Sequence, residues 1–161
     1  MSKKDKIPAT PALHALKGAG VAFITRLYDY VSRGGTGEAA RQLGVDEHQV
    51  IKTLVMQDEG GGPLLVLMHG DREVSTKTLA RQMGRKTIAP CPERDAQRYT
   101  GYQVGGISPF GIRRALPVYV EKSILELERL YINGGRRGLL VETTPAVLVK
   151  MLNPTPVEAA L

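Results

Sequence analysis

The sequence predicts a single α+β domain, in which paired strands form a mixed sheet and helices lie between them. Two hairpin patterns carry this prediction. VIKTLVMQ and PLLVLMHG are apolar runs joined by DEGGG, and YINGG and GLLVETT repeat the arrangement later in the chain. Segments with helix-capping residues separate these runs. A chain of 161 residues can bury one substantial core, and hairpin-paired strands with interspersed helices are typical of an α+β fold.

The first half of the chain predicts two helices and three strands. TPALHALKGAG is a helix with Thr10 as N-cap and Pro11 at its first position, and GTGEAARQLG is a short helix that ends at Gly44. VAFITRLYDY is rich in β-branched and aromatic residues, so we expect a strand there. The two apolar runs of the first hairpin supply the other two strands, and His69 before Gly70 ends the second of them, where we expect it to be a turn residue.

The second half continues the same mixture of elements. STKTLARQMG predicts a helix capped by Ser75 or Thr76, KTIAP a brief strand, and PERDAQRYTG a helix that Pro92 opens. LPVYVE is a strand, and SILELERL is a short segment before the second hairpin. TPAVLVKML closes the chain as a helix with Thr144 as its cap. We expect both ends of the chain to be frayed, and we find no internal repeat.

Composition and charge narrow the class of protein. The net charge of +6 favours anionic partners, although many proteins are mildly basic for no specific reason. A single cysteine, Cys91, is typical of a reducing compartment, so we expect the cytoplasm. The chain has no apolar run long enough to cross a membrane, and MSKKDKIPATP lacks the apolar stretch of a signal peptide. His14, His48 and His69 are scattered, so we expect neither a metal site nor a cofactor.

A glycine-rich loop lies beside positive charge. Residues 101–114, GYQVGGISPFGIRR, contain four glycines and end in Arg113 and Arg114, and Arg136 and Arg137 follow a second glycine pair. We refer to these four arginines as the arginine clusters. Because glycine backbone allows close approach and arginine pairs with phosphate oxygens, this combination suits a phosphate-bearing ligand.

The strand VIKTLVMQ carries a lysine among apolar residues. Alternation gives it two faces, Val50, Lys52, Leu54 and Met56 on one and Ile51, Thr53 and Val55 on the other. Both faces are otherwise mostly apolar, which indicates a central strand. Lys52 is then either a lysine whose stem reaches water from a strand end or an anchor for phosphate or carboxylate at the mouth of a pocket.

Several of these segments together resemble the YbaK/EbsC family of aminoacyl-tRNA deacylases, which is related to the editing insertion of bacterial prolyl-tRNA synthetases. They are TPA, EAARQLGVD, VIKTLV, YTGYQVGGISPFG and YINGGRRG, in the family's order, and the resemblance covers about residues 8–153. It implies one domain over residues 1–161, a mixed and partly barrel-like sheet, and a pocket for the aminoacylated 3′ end of tRNA. It also implies prolyl-tRNA synthetase as a partner.

The resemblance assigns roles to individual residues. Lys52 is the functional lysine, and the glycine loop holds the ester end of the substrate. The residues placed at the reacting ester are Lys52, Gly105, Gly106 and Ser108. Those placed around the substrate are Tyr28, Tyr30, Thr53, Gly111, Asn133, Gly134 and Gly135. The arginine clusters are expected to bind tRNA phosphates.

Three departures from the family pattern bear on the amino acid that is recognised. Asn133 stands where many relatives have serine, Tyr30 where they often have histidine, and Thr36 precedes Gly37 where an aromatic residue is common. These positions are expected to line the amino-acid pocket, so the amino acid is less determined than the reaction class.

The sequence contains no pattern for a catalytic triad, paired catalytic carboxylates or a metal-bound water. The resemblance implies that the cysteine of mischarged Cys-tRNA(Pro) attacks its own ester. Hydrolysis of alanyl, seryl or prolyl esters, and a non-catalytic tRNA- or synthetase-binding module, remain alternatives. We expect Cys91 to be a packing residue and the Ser108–Pro109 pair to shape the loop. For Tyr99 and Tyr102 we favour packing over stacking on a base.

Overall fold

The computed structural model describes residues 7–161, so the fraying predicted for residues 1–6 lies outside the described residues. The helices in this part of the chain are α1 (Pro11–Gly18), α2 (Gly35–Leu43), α3 (Thr76–Met83), α4 (Glu93–Thr100) and α5 (Pro145–Leu152). The strands are β1 (Ile24–Leu27), β2 (Val50–Asp58), β3 (Pro63–His69), β4 (Ile88–Pro90), β5 (Val118–Glu121), β6 (Leu130–Arg136), β7 (Leu139–Thr143) and β8 (Thr155–Val157). Within residues 7–161 no helix is both long and apolar enough to span a membrane.

The eight strands form one mixed sheet, which confirms the predicted α+β class. Their order is β1-β7-β6-β2-β3-β5-β8, and β4 lies beside β2. Both predicted hairpins, β2–β3 and β6–β7, are antiparallel, whereas β2–β6, β3–β5 and β5–β8 are parallel. As the apolar pattern of both its faces predicted, β2 is an inner strand. Leu65 and Leu67 of its partner β3 are fully buried in the main core.

One edge of β2 is only partly covered. On the side away from β3, β6 pairs with Val50 and Ile51, and β4 pairs with residues from Met56 onward. No described strand pairs with residues 52–55 on this edge, although Cys91 N–H donates to Val55 O at 3.0 Å. The sheet therefore has a gap beside the middle of β2.

The helix caps follow the predictions with one exception. Thr10 Oγ1 accepts a hydrogen bond from Leu13 N–H and donates to Gly134 O at 2.6 Å, so the cap also joins α1 to β6. Ser75 is the cap of α3, and its hydroxyl accepts from Thr78 N–H. Thr144 occupies the cap position of α5, but its side chain makes no capping bond.

Two predictions about the ends of elements are wrong. Only Ile24–Leu27 of VAFITRLYDY form a strand, because β1 is an edge strand whose one partner, β7, pairs with those four residues. The C-terminus is not frayed: β8 pairs with β5, Ala160 bridges to Val74, and Glu121 accepts from Ala159 N–H at 2.7 Å. The prolines around β8 argue against a strand in the sequence, but an edge strand tolerates proline.

Candidate functional site

The gap beside β2 opens into a cleft of about 480 Å³. Residues 50–55 of β2 form one wall of the cleft, and the loop after β1 and the start of α2 form another. The glycine loop, Asn133 of β6, and Cys91 and Ala96 near α4 complete the lining. The cleft thus lies where segments that are distant in sequence meet at the unpaired part of β2.

Lys52 faces this cleft, as the anchor interpretation requires. Its side chain is 20% exposed, and Nζ lies 3.5 Å from Glu73 Oε1, whose side chain is 83% exposed. An ion pair with so exposed a partner is weak and easily exchanged. The lysine therefore has a half-buried stem and an ammonium group that an anionic ligand can take over.

The glycine loop meets the β6–β7 turn at the rim of the cleft. Gly105 has a φ of +93°, and a Cβ there would lie 3.0 Å from both Tyr30 Oη and Arg137 Nε. A Cβ on Gly106 would lie 2.7 Å from the backbone nitrogen of Arg137. Gly106 is therefore needed for the two backbones to approach each other, whereas Gly105 is favoured by its positive φ and also lines the cleft.

Side-chain contacts connect the glycine loop to the β6–β7 turn at this rim. The Arg137 guanidinium lies 4.8 Å from the centre of the Tyr30 ring, and its Nε donates to Val104 O at 2.9 Å. Asn133 Nδ2 donates to Gly105 O at 3.3 Å, while its Oδ1 accepts from Gly135 N–H at 2.7 Å. Asn133 thus joins the glycine loop to the turn as well as lining the cleft.

Five residues placed at the substrate by the resemblance lie outside the cleft lining, namely Gly106, Ser108, Gly111, Gly134 and Gly135. Ser108 is fully buried, and its hydroxyl accepts from Phe110 N–H at 3.1 Å, so it shapes the loop and does not contact a ligand in this cleft. Gly111 packs against the Pro11 carbonyl, Gly134 against Leu139, and Gly135 against Tyr102. These glycines allow protein segments to approach one another.

The arginine clusters are exposed, and all four of their members lie outside the cleft lining, although Arg137 contacts Tyr30 at the rim. Arg114 and Arg98 each place a guanidinium 5.1 Å from the centre of the Tyr99 ring. Tyr99 is therefore engaged with arginines. Tyr102 is a core residue, as predicted: its hydroxyl donates to Phe110 O, and burial raises its pKa to about 12.

The lining also contains three residues that the sequence analysis named, Tyr28, Thr36 and Cys91. Tyr28, predicted at the substrate, lines the cleft, and burial raises the pKa of its hydroxyl. Thr36 also lines it, with Oγ1 donating to Glu47 Oε2 at 2.7 Å, whereas Gly37 packs against Glu47. Cys91 lines the cleft too, and burial raises the pKa of its thiol. Only the pairing of β4 with β2 brings Cys91 here.

Two histidines expected to be scattered come together. Ligand atoms of His48, His69 and Asp71 lie within 4.8 Å of one another, and the two imidazole rings stack at 3.6 Å. His69 ends β3, as the sequence predicted, but it is 1% exposed and paired within the sheet, so its interpretation as a turn residue is wrong. Its Nδ1 donates to His48 O, which leaves Nε2 to accept from Ser123 Oγ. Each of these ligand atoms already has a hydrogen-bond partner.

Comparison with known proteins decides the family. The family model described as an aminoacyl-tRNA editing domain matches residues 34–151. The chain belongs to this family. Its activity at the level that the family defines is therefore editing of aminoacyl-tRNA by deacylation. The matched range contains β2, the glycine loop and the β6–β7 turn, which together form most of the cleft.

Individual relatives agree with the family. This chain is 29% identical over 114 residues to "Putative Cys-tRNA(Pro)/Cys-tRNA(Cys) deacylase EbsC" of Enterococcus faecalis, and the match covers 71% of this chain and 70% of that protein. It is 32% identical over 102 residues to "Proline--tRNA ligase" of Thermodesulfovibrio yellowstonii, covering 62% of this chain but 17% of that enzyme. A solved structure described as "a putative trans-editing enzyme for prolyl tRNA synthetase" has a TM-score of 0.82 at 23% identity, over 96% of this chain and 99% of that one. That likeness shows the shared fold.

Proposed function

We propose that this editing domain acts in trans on mischarged Cys-tRNA(Pro) and removes the cysteine by a substrate-assisted reaction. The observation that carries the proposal is the composition of the cleft. Its lining includes Lys52 but neither serine nor histidine, so the described lining residues hold no serine–histidine or cysteine–histidine pair of nucleophile and base. A substrate that brings its own nucleophile needs no such pair.

The reaction balances without a further reactant. The cysteinyl sulfur forms a bond to its own ester carbonyl carbon, and the bond from that carbon to the ribose oxygen breaks. The thiol proton ends on the ribose hydroxyl, and the amino acid leaves as a four-membered thiolactone. A thiol is a few per cent thiolate at neutral pH, so the domain mainly has to fold the substrate into a reactive conformation.

Residues of the cleft supply binding and orientation under this proposal. Lys52 binds an anionic group at the 3′ end of the tRNA, for which the exposed Glu73 carboxylate is an easily displaced competitor. The amide group of Gly105 is the candidate for contact with the ester, because Gly105 lines the cleft whereas the Gly106 N–H already donates to Gln103 O at 2.8 Å. Arg137 lies at the rim and would meet a phosphate, whereas Arg113 and Arg114 would contact the tRNA further away.

Cys91 is the one lining thiol among the described residues, and it is a poor nucleophile here. Burial, followed by the nearby Asp95 carboxylate, raises the pKa of its thiol, and its Sγ lies 3.8 Å from Gln57 Oε1. This supports assigning the attacking sulfur to the substrate.

The proposed partners follow from the same chemistry. Phosphate contacts carry no sequence information, so selection of tRNA(Pro) would come from prolyl-tRNA synthetase acting together with this domain. Under this proposal the protein works in the cytoplasm, where the tRNA is charged.

The test is release of amino acid from tRNA(Pro) charged separately with cysteine, serine, alanine and proline. Cysteine is expected to leave fastest, and serine much more slowly because a hydroxyl is a weak nucleophile without a base. Equal rates for cysteine and serine would refute the substrate-assisted mechanism and favour attack by water. Release of none of the four amino acids would favour the non-catalytic binding module.

A further inference from the structure

The loop after β1 forms one wall of the cleft, and Asp29 stands among its cleft-lining residues. Tyr28, Tyr30 and Val31 line the cleft, whereas Asp29 lies outside the lining. The start of the loop is tied to the β6–β7 turn, because Tyr28 N–H donates to Gly138 O at 2.9 Å. The position of the wall beyond this point depends on what holds the backbone at Asp29.

A glutamine side chain holds this backbone. Gln42 Oε1 accepts from Asp29 N–H at 2.8 Å, and Gln42 Nε2 donates to Asp29 O at 2.8 Å. Because a carboxamide has a donor and an acceptor side by side, it pairs with the Asp29 backbone much as a neighbouring strand would. The second proton of Nε2 goes to Glu38 Oε2 at 2.6 Å. Both polar atoms of the Gln42 carboxamide are therefore paired, and these bonds fix its orientation.

Gln42 joins the wall to a helix that is packed in the protein. It lies in the last turn of α2, and Ala39 and Ala40 of the same helix are buried in a core cluster with Val50 of β2. The loop that leads into α2 contains Arg33 with a φ of +64°, a conformation that a non-glycine residue keeps only when its surroundings hold it. The loop therefore relies on its contacts with α2 for its shape.

We propose that Gln42 is a positioning residue for the cleft, whose carboxamide holds residues 28–31 in the binding-competent conformation before a ligand arrives. The inference rests on the proposed function in that the cleft receives the aminoacylated 3′ end, and it holds for any amino acid that is removed. Without the two bonds to Asp29, the competent conformation is populated for only part of the time. The apparent dissociation constant then rises by the inverse of that fraction, whereas the reaction of bound substrate is unchanged because the bound ligand restores the wall.

A second glutamine makes the same pair of hydrogen bonds and supplies a matched control. Gln82 Nε2, on α3, donates to Glu158 O at 2.6 Å, and Gln82 Oε1 accepts from Glu158 N–H at 2.9 Å. Both residues lie outside the cleft lining. Gln42→Met and Gln82→Met each remove a carboxamide without adding charge, and methionine and glutamine have similar helix propensities. A merely structural role is common to both glutamines, whereas a role at the cleft belongs to Gln42.

The test compares both variants with the wild-type protein. Hydrogen exchange followed by NMR reports the opening of the Asp29 amide in the ligand-free protein. Titration calorimetry with the cysteinyl amide of 3′-amino-3′-deoxyadenosine, in which an amide replaces the labile ester, gives a dissociation constant. Deacylation of Cys-tRNA(Pro) gives kcat and KM separately.

In Gln42→Met we expect faster exchange of the Asp29 amide. The dissociation constant and KM should both rise about threefold to tenfold, which is the worth of one neutral hydrogen bond, and kcat should be unchanged. Gln82→Met should keep the wild-type dissociation constant, KM and kcat. An unchanged dissociation constant and KM in Gln42→Met would overturn the inference, and so would an equal rise in Gln82→Met or a fall in kcat alone.

Failure of the proposed function would be recognised separately. If the dissociation constant depends on Gln42 but cysteine leaves no faster than serine, the positioning role stands and the substrate-assisted reaction is wrong. If the wild-type protein neither binds the probe nor cleaves the ester, the proposed function is wrong and the exchange of the Asp29 amide decides the role of Gln42. Faster exchange in Gln42→Met would then retain the positioning of the wall, and unchanged exchange would refute it.

Discussion

Replacing Gly106 by alanine tests whether the glycine loop is needed for the approach of two protein segments. A Cβ at this position would lie 2.7 Å from the Arg137 nitrogen and 2.8 Å from the Arg136 carbonyl carbon. Ordinary contact begins near 3.4 Å, so the two backbones must separate by roughly half an ångström or more. Overpacking of this kind costs about 1–3 kcal/mol, and the entropy gained by removing a glycine offsets about 0.4–1 kcal/mol.

The net loss of about 1–2 kcal/mol corresponds to a fall in melting temperature of roughly 2–8 °C for a chain of this size. Thermal unfolding followed by circular dichroism measures it. Gly18→Ala is the control, because a Cβ there meets nothing within 4 Å at the end of α1. We expect this control to be neutral or slightly stabilising. The packing argument would be refuted if Gly106→Ala had the same melting temperature as Gly18→Ala and deacylated its substrate at the wild-type rate.

The remaining predictions concern charge, the nucleophile and pH. Lys52→Ala should lower deacylation on the order of a hundredfold, and Lys52→Arg should fail to restore it because the planar guanidinium differs in shape; full activity in either variant would exclude a positioning role. A variant with alanine at all four positions of the arginine clusters should bind tRNA with a weaker dependence on salt. The slope of log affinity against log salt concentration should decrease in magnitude by up to about 0.9 for each phosphate that is no longer neutralised. An unchanged slope would mean that tRNA phosphates bind elsewhere on the protein. Cys91→Ala should keep its activity, whereas an inactive but folded variant would make Cys91 the nucleophile. Burial lowers the pKa of His69 in the folded protein below its ordinary value of 6.5. As the pH falls below about 6.5, the unfolded chain therefore binds a proton at His69 before the folded protein does, and the free energy of unfolding decreases. Urea unfolding at about pH 7.5 and about pH 5.5, on either side of that value, should show a smaller pH effect in His69→Gln, and an equal effect would contradict the assignment.

Local patterns were sufficient for most of the fold. Hairpins, caps and helices depend on neighbours within a few residues, which is why the turn sequence DEGGG and the cap Ser75 led to correct elements. The same patterns could not find β8, since two prolines argue against a strand and only the free edge of β5 makes one possible there. The proximity of His48 and His69 was missed for a similar reason. The pairing of β2 with β3 brings His69 beside the segment that precedes β2, and spacing along the chain does not report it.

The candidate site likewise has features that the sequence determined and features that only the tertiary structure decided. By itself, the sequence determined the family segments, the apolar faces of β2 and the place of Lys52 and the glycine loop within them, because each is a property of a contiguous stretch. The tertiary structure alone decided that the sheet leaves β2 unpaired between β6 and β4, that Cys91 lines the cleft beside that gap, and that Ser108 is buried outside the cleft lining. Strand pairing and burial depend on contacts between segments far apart in the chain, and a single sequence carries no direct record of such contacts.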